Sequence, residues 1–182
     1  QSANSEVFER SQSEPEYQGM CTTAVALVLA GEGAFLAHVG DSRAYLIREG
    51  EIYRLTEDHT WADYMIKHKA LDPEEADGHP YANVLARTVG SGPHVDVDTA
   101  HFLVQPGDRF VLCSDGVTKY LRGSEILEVS GSAESPDALV TKLIKEAKKP
   151  LIFAGGGIIL SGAAKELTAF ARKIQAPVTS TL

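Results

Sequence analysis

Cysteine is scarce in this chain: Cys21 and Cys113 are the only two among 182 residues. Two thiols so far apart in sequence exclude a disulfide framework. Both fall in apolar runs, so buried, reduced thiols and a cytoplasmic location are expected. No stretch approaches the ~20 apolar residues a membrane-spanning helix needs. The N-terminal segment is polar and has no apolar signal core, so neither a membrane partner nor export is expected. Positive charge is short too: 17 Lys and Arg stand against 25 Asp and Glu, a formal net charge of −8. That balance argues against a nucleic-acid groove, whose phosphates need clustered cations. The basic residues that do cluster, Lys142, Lys145, Lys148 and Lys149, end a predicted helix, where cations favour the dipole. A solvated helix end explains them better than an anion site. The histidines are scattered with no two-His spacing on one helix face, so a zinc site is not expected. Internal repeats and low-complexity runs are missing as well.

What is present is ordinary globular material. Hydrophobic residues make up 43%, and the length suits one domain with a sizeable core, or one domain plus a small appendage. Residues 2–11 suit a short helix with Val7 and Phe8 on one face, ended at Glu14-Pro15-Glu16. The β-rich runs 22–30 and 34–39 are joined by Gly31-Glu32-Gly33, a compact hairpin turn. A second hairpin, 43–48 and 51–55, surrounds Glu49-Gly50. Residues 61–68 and 73–77 read as helices, with Asp72 a cap before Pro73 at the first helical position. Residues 96–104 alternate as a half-buried strand does, Gln105-Pro106-Gly107-Asp108 is a turn, and 110–113 is a core strand. Ser135 or Asp137 caps a helix that runs to residue 147. Many antiparallel strands followed by helices predict the α+β class, a sheet sandwich flanked by helices.

Two aspartates carry the chemistry. Asp41 sits in Gly40-Asp41-Ser42-Arg43 and Asp115 in Ser114-Asp115-Gly116, each in a tight turn after an apolar strand. A carboxylate so mounted is held by rigid backbone on one side and open on the other. That suits a hard cation such as Mg²⁺ or Mn²⁺, which prefers oxygen ligands. Both residues also have plainer readings. Gly-Asp and Asp-Gly are ordinary turn formers, and Asp41 could accept hydrogen bonds from its own turn or pair with Arg43.

The segments around these turns extend the pattern. In order they are Gly19-Met20-Cys21-Thr22-Thr23, Gly40-Asp41-Ser42-Arg43, Leu55-Thr56-Glu57-Asp58-His59-Thr60, Asn83-Val84-Leu85-Ala86-Arg87-Thr88-Val89-Gly90, and 107–116 around Asp115. Together they resemble the metal-dependent serine/threonine phosphatases of the protein phosphatase 2C type, over residues 1 to about 147. The resemblance implies a two-metal centre that activates water for in-line attack on a phosphoprotein substrate. It also implies a flap, here residues 61–92, beneath which Trp61 is expected to pack.

Several family elements have no counterpart. The 18 residues before Gly19 hold neither the Arg with an acidic pair nor the Asp-Gly-x-Gly-Gly segment. No Asp-Asn segment follows the last long helix, and the phosphate-gripping Arg is absent. Of the core metal ligands, the resemblance leaves Asp115. Asp41 and Asp115 together resemble the pair that holds an additional, weaker metal in relatives. Weak or absent activity is therefore expected, with Mn²⁺ or Mg²⁺ occupancy low.

From Pro150 the character changes. The apolar run 151–154, Gly155-Gly156-Gly157, a helical stretch and a second run from Pro177 make one βαβ unit, which normally belongs to a parallel sheet. Roughly the last 33 residues resemble the opening of the central domain of acetolactate synthase-type thiamine-diphosphate enzymes. That domain does not carry the thiamine chemistry, so no thiamine diphosphate is expected. The expected organisation is a partial phosphatase 2C-like domain at 1–147 and a βαβ segment at 148–182, joined as a chimaera.

A sandwich short of strands has bare sheet edges. The tail is expected to refill the gap, or copies to exchange strands as a homo-oligomer. Three functional readings stay open from sequence: a weak or inactive phosphatase fragment, a non-catalytic recombined scaffold, and an anion-binding or nucleotide-binding βαβ module built on the glycine turn.

Overall fold

A computed structural model describes residues 1–76, 79–146, 152–154, 165, 168, 169, 172 and 178–180. Its chain divides into two compact units, Gln1–Lys119 and Tyr120–Leu182.

The first unit is built on two antiparallel three-stranded sheets. Strand β1 (Ala24–Ala30) turns back through Gly31, at φ +58°, into β2 (Gly33–Val39), with register Ala24↔Val39 to Ala30↔Gly33. A positive φ at the first turn position favours glycine, which has no Cβ to clash. On its other side β2 pairs with β5 (Asp98–Leu103), so the order is β1-β2-β5. The second sheet runs β4-β3-β6, from β3 (Arg43–Arg48), β4 (Glu51–Arg54) and β6 (Arg109–Cys113). The central strands carry the core. Ala34, Leu36 and Val39 of β2 are buried, and four consecutive residues of β3, Ala44–Ile47, are buried on both faces.

Helix α1 (Ser2–Ser13) is fixed to this unit by a polar anchor as much as by apolar packing. Asn4 is 2% exposed; its amide donates to the Gly92 carbonyl (2.9 Å) and its Oδ1 accepts from the Gly90 N–H (2.8 Å). Both ends of a buried amide are thus satisfied, which burial requires. Val7 of α1 packs against Val39, Val89 and Val95.

The alternating patterns that sequence reading relies on survive, with trimmed ends. The first strand starts at Ala24 rather than residue 22, because Thr22 exchanges both backbone hydrogen bonds with Val89 instead. Helices α2 (Trp61–Lys67) and α3 (Pro73–Ala76) stand where expected. Three expectations are corrected. Cys21 is exposed, because it precedes β1 rather than lying in it; Cys113 is partly buried at the end of β6. Asp115 opens a short helix, α4 (Asp115–Thr118), rather than a plain turn. Trp61 is 45% exposed and meets Tyr64 edge-on, so it is not enclosed as expected.

The second unit holds α5 (Gly123–Gly131), which sequence reading did not anticipate. It is short and opens on a glycine, a poor helix former. Its signal was Glu125, whose carboxylate accepts from the Arg122 N–H at 2.7 Å. Helix α6 (Pro136–Glu146) follows; Ser135 caps it, its Oγ accepting from the Ala138 N–H at 3.2 Å. Lys142 of the basic cluster reaches back to the carbonyl and hydroxyl of Ser132, past the end of α5. Strands β7 (Ile152–Ala154) and β8 (Val178–Ser180) pair in parallel, as a βαβ unit demands, and Lys165, Thr168, Ala169 and Arg172 between them are helical. The glycine turn 155–157, and Lys148 and Lys149, lie outside the described residues.

Gly90→Ala tests the docking of α1. Its φ is +91°, and a Cβ there would lie 2.2 Å from Val7 Cγ1. Strain and overpacking together are expected to cost about 2 kcal/mol. Asn4→Ala is expected to cost a similar amount, because the Gly90 N–H loses its partner. Both appear as a lower urea midpoint with an unchanged slope.

Candidate metal centre

The site begins at the end of β2. Gly40 has φ +108°, and a Cβ on it would sit 2.3 Å from Thr23. Glycine at this position lets the chain turn tightly and present Asp41. The turn is locked from the far side by His59: its Nδ1 accepts the Gly40 N–H at 3.0 Å, and its own N–H donates to the Gly40 carbonyl at 2.9 Å. A second hydroxyl pair, Thr23 and Ser42 at 2.8 Å, ties the start of β1 to the same turn. In the other sheet, β6 pairs with β3 and ends at Cys113, opposite Arg43, and Asp115 follows as the first residue of α4.

Asp41 and Asp115 line one pocket of about 340 Å³, together with Arg43, Asp58, Asp63 and Lys119. The two predicted ligands are therefore brought together. Partial burial, and then the neighbouring Asp115 charge, hold the Asp41 carboxyl above the usual carboxylate range. Lys119 makes an ion pair with Asp115 one helical turn away. Arg43 does not take Asp41 as its partner. Its guanidinium instead grips Asp58, with Nε at 3.0 Å and Nη2 at 2.6 Å from the carboxylate oxygens, and Arg54 binds the same carboxylate. Asp63 accepts from the Thr60 hydroxyl, which in turn caps α2 by accepting the Asp63 N–H at 3.1 Å.

These donors can be tested against a metal. Asp58 has a side chain only 7% exposed and is neutralised by two arginines, so it is not free to ligate. Among the described residues, no group of three or more His, Cys, Asp or Glu is arranged to hold an ion. A hard cation takes about six oxygens. Two carboxylates lining one open pocket fit one cation completed by water. They do not fit a closed two-metal centre.

A larger pocket, about 700 Å³, adjoins the first and shares Arg54, Asp58 and Asp63 with it. His59, Arg87 and Asp98 meet there. His59 Nε2 lies 3.2 Å from Asp98 Oδ2, and Arg87 binds the other Asp98 oxygen. Because Nδ1 is an acceptor, the neutral ring carries its proton on Nε2 and donates it to Asp98. Partial burial opposes the Asp98 charge, but the hydrogen bonds from His59 and Arg87 outweigh it and hold this carboxyl low. Sequence reading singled out none of these residues as site residues, although His59 and Arg87 stood in the recognised segments. Behind His59 lies His38, 2% exposed, its ring centroid 4.5 Å away. Neither His38 nitrogen has a hydrogen-bond partner. Burial and the neighbouring His59 lower its pKa, against smaller opposing effects of Asp98 and Asp58.

Known proteins share this arrangement of sheets. The model of the family described as protein phosphatase 2C matches residues 1–64, and that of the thiamine pyrophosphate enzyme central domain matches residues 138–182. A putative protein phosphatase 2C-type from Streptococcus pyogenes is 36% identical over 137 residues, which is 75% of this chain and 55% of that protein. The solved serine/threonine phosphatase of S. agalactiae superposes with a TM-score of 0.75 at 35% identity, covering 80% of this chain and 60% of that one. The catalytic domain of the phosphatase PstP, solved with two manganese ions, gives 0.68 at 32% identity, covering 79% and 59%. The fold is that of the bacterial serine/threonine phosphatases. The amino-terminal part of this chain is of the protein phosphatase 2C family, and the chain spans little more than half the length of the relatives it matches.

Buried His38 and the hydrogen-bonded Asp98 and Asp108 set the pH dependence of stability. As pH falls below about 6.5, the unfolded chain protonates His38 before the folded chain does, so stability falls. At lower pH a second loss sets in. Asp98, and Asp108 held low by its hydrogen bond from Arg48, keep their charge in the fold while the unfolded carboxyls protonate near pH 4. Urea midpoints are expected to drop between pH 7 and 5, and again below 4. His38→Leu should flatten the first drop and leave the second.

Proposed function

We propose that this chain is a phosphatase 2C-like fragment that binds a single Mn²⁺ or Mg²⁺ weakly through Asp41 and Asp115, and hydrolyses phosphoserine or phosphothreonine weakly or not at all. The observation that carries this reading is the pocket that Asp41 and Asp115 share, with Asp58 held by Arg43 and Arg54 and Asp63 taken up by the Thr60 hydroxyl. A bound metal would supply charge neutralisation and an activated water. The protein's own part is to hold the two carboxylates at the ends of β2 and β6, with Lys119 balancing Asp115 when no metal is bound. A phosphoprotein is the substrate only if the centre works.

The chain is further proposed to be a chimaera of a phosphatase segment, residues 1–147, and a thiamine-enzyme segment, residues 148–182. Two unrelated family models matching opposite ends support this, as does the change from antiparallel to parallel pairing at β7 and β8. The second match starts inside α6, so that helix would serve either parent. The scaffold reading stands beside the fragment reading, favoured by the same shortage of free carboxylates. No thiamine diphosphate site is proposed. Among the described residues no helix is long and apolar enough to cross a membrane, and Cys21 and Cys113 are unpaired, which supports a reducing, cytoplasmic location.

Phosphate release from p-nitrophenyl phosphate and a phosphothreonine peptide, with Mn²⁺ or with chelator, tests the reading. Little or no turnover is expected, while Mn²⁺ binding followed by electron paramagnetic resonance is weak and lost in Asp115→Asn. Robust Mn²⁺-dependent turnover that Asp115→Asn abolishes would show a working centre and overturn the proposal. Without metal, Asp41→Asn removes like-charge repulsion and is expected to raise Tm by about 1–2 °C.

A further inference from the structure

We infer that the larger pocket beside the candidate metal centre is a binding site for an arginine side chain of a peptide partner. Its walls come from the end of β4, the loop into α2, α2 itself, Arg87 and the start of β5. Two wall residues are aromatic. Trp61 and Tyr64 are neighbours on one face of α2, 45% and 52% exposed, with ring centroids 5.6 Å apart and planes at 75°. A single exposed ring is ordinary surface, but two adjoining rings in the wall of a cavity form a corner with open π faces. Backbone hydrogen bonds fix that corner in place. The Trp61 N–H donates to the Val84 carbonyl at 2.8 Å, and the Ala86 N–H donates to the His59 carbonyl at 2.8 Å. At about 700 Å³, the pocket falls in the size range of small-ligand sites.

Charge says which ligand enters. Each Lys or Arg on the wall already has a carboxylate: Arg54 binds Asp58, Lys67 binds Glu57 at 3.0 Å, and Arg87 binds Asp98. Asp63 is left over. Among the described residues it enters no ion pair, and the Thr60 hydroxyl that it accepts is neutral and leaves its charge uncompensated. A carboxylate in one pocket with two open rings is the chemistry that recognises a cation. Arginine suits it better than lysine, because a planar guanidinium stacks on a ring while its N–H fork meets a carboxylate. An anion would meet Asp63 and a chain of net charge −8. An apolar ligand would strip water from charged walls without replacing it.

The site is separate from the pocket of Asp41 and Asp115 yet adjoins it, since Asp63 lines both. A peptide anchored here by arginine can present a neighbouring residue to the two aspartates. For a substrate this means a phosphoserine or phosphothreonine flanked by arginine, a preference that rests on the phosphatase reading. Arginine binding itself does not rest on it. Unphosphorylated peptide and metal-free protein are enough to observe it.

Trp61 is the only tryptophan in the chain, so its fluorescence reports on the site directly. The probes are short peptides blocked at both ends, with arginine, lysine or glutamate at the centre and serine and glycine elsewhere, titrated into the full chain in chelator. The arginine peptide is expected to shift Trp61 emission with a Kd of about 0.1–1 mM, weakened by added salt. The lysine peptide should bind more weakly and the glutamate peptide not at all. Asp63→Asn keeps an acceptor for Thr60 and should weaken the arginine peptide about fivefold. Tyr64→Leu should weaken it about threefold. Circular dichroism should stay unchanged in both variants. No response of Trp61 up to about 10 mM arginine peptide, glutamate bound as tightly as arginine, or an affinity that neither variant alters would each overturn the inference. Because chelator is present throughout, failure of the metal or phosphatase reading leaves these readouts untouched.

Discussion

The reciprocal pairing of Gly40 with His59 is the constraint on which the site depends. One peptide unit gives its N–H to the imidazole and takes the His59 N–H on its carbonyl. This ties the end of β2 to the loop that leads into α2. From that loop, the His59 carbonyl accepts Ala86, and Trp61 donates to Val84, so the segment 84–86 is drawn in as well. Only a glycine can sit there, because Thr23 packs where a Cβ would be and φ is positive. Asp41 is the next residue, and its position follows from the lock.

Electrostatics then sorts the acidic side chains into two groups. Asp58 and Asp108 are buried carboxylates, each neutralised by arginine, and they serve structure: Asp58 joins Arg43 of β3 to Arg54 of β4, and Asp108 joins the turn before β6 to Arg48. A buried charge is tolerable only when paired in this way. Asp41 and Asp115 are the other group. Burial and the neighbouring Asp115 charge oppose ionisation of Asp41, and Lys119 pairs with Asp115. Stability and metal affinity therefore pull in opposite directions at this pocket. The cysteines divide similarly: burial pushes the Cys113 thiol up to about 11, leaving it protonated at neutral pH, whereas Cys21 is open to solvent.

The two ends of the chain follow different structural rules. Antiparallel pairing builds the first unit: two hairpins, β1–β2 and β3–β4, each take a third strand, β5 or β6, from farther along the chain. The tail pairs β7 with β8 in parallel, which requires a crossover between them. The family matches fall on the same division, with a phosphatase 2C model at residues 1–64 and a thiamine-enzyme model at residues 138–182.

The sequence by itself determined the class of the fold, most strand positions and the two aspartates of the candidate centre. These are local matters: alternation of apolar residues, glycine at turns, a carboxylate after a strand. It also carried β8 and its parallel partner, because a glycine turn followed by a helical run implies a crossover. It could not say that Asp58 would be consumed by two arginines, since Arg43 and Asp58 are far apart along the chain and meet only when β3 and the loop after β4 fold together. It could not foresee that His38, on an ordinary strand, would be enclosed without a partner, or that Cys21 would fall outside the strand it precedes. It missed α5, whose opening glycine hides a helix that begins on the Glu125 cap. Such outcomes are decided by which groups the tertiary structure brings to one place, and burial and charge there depend on neighbours that sequence order does not display.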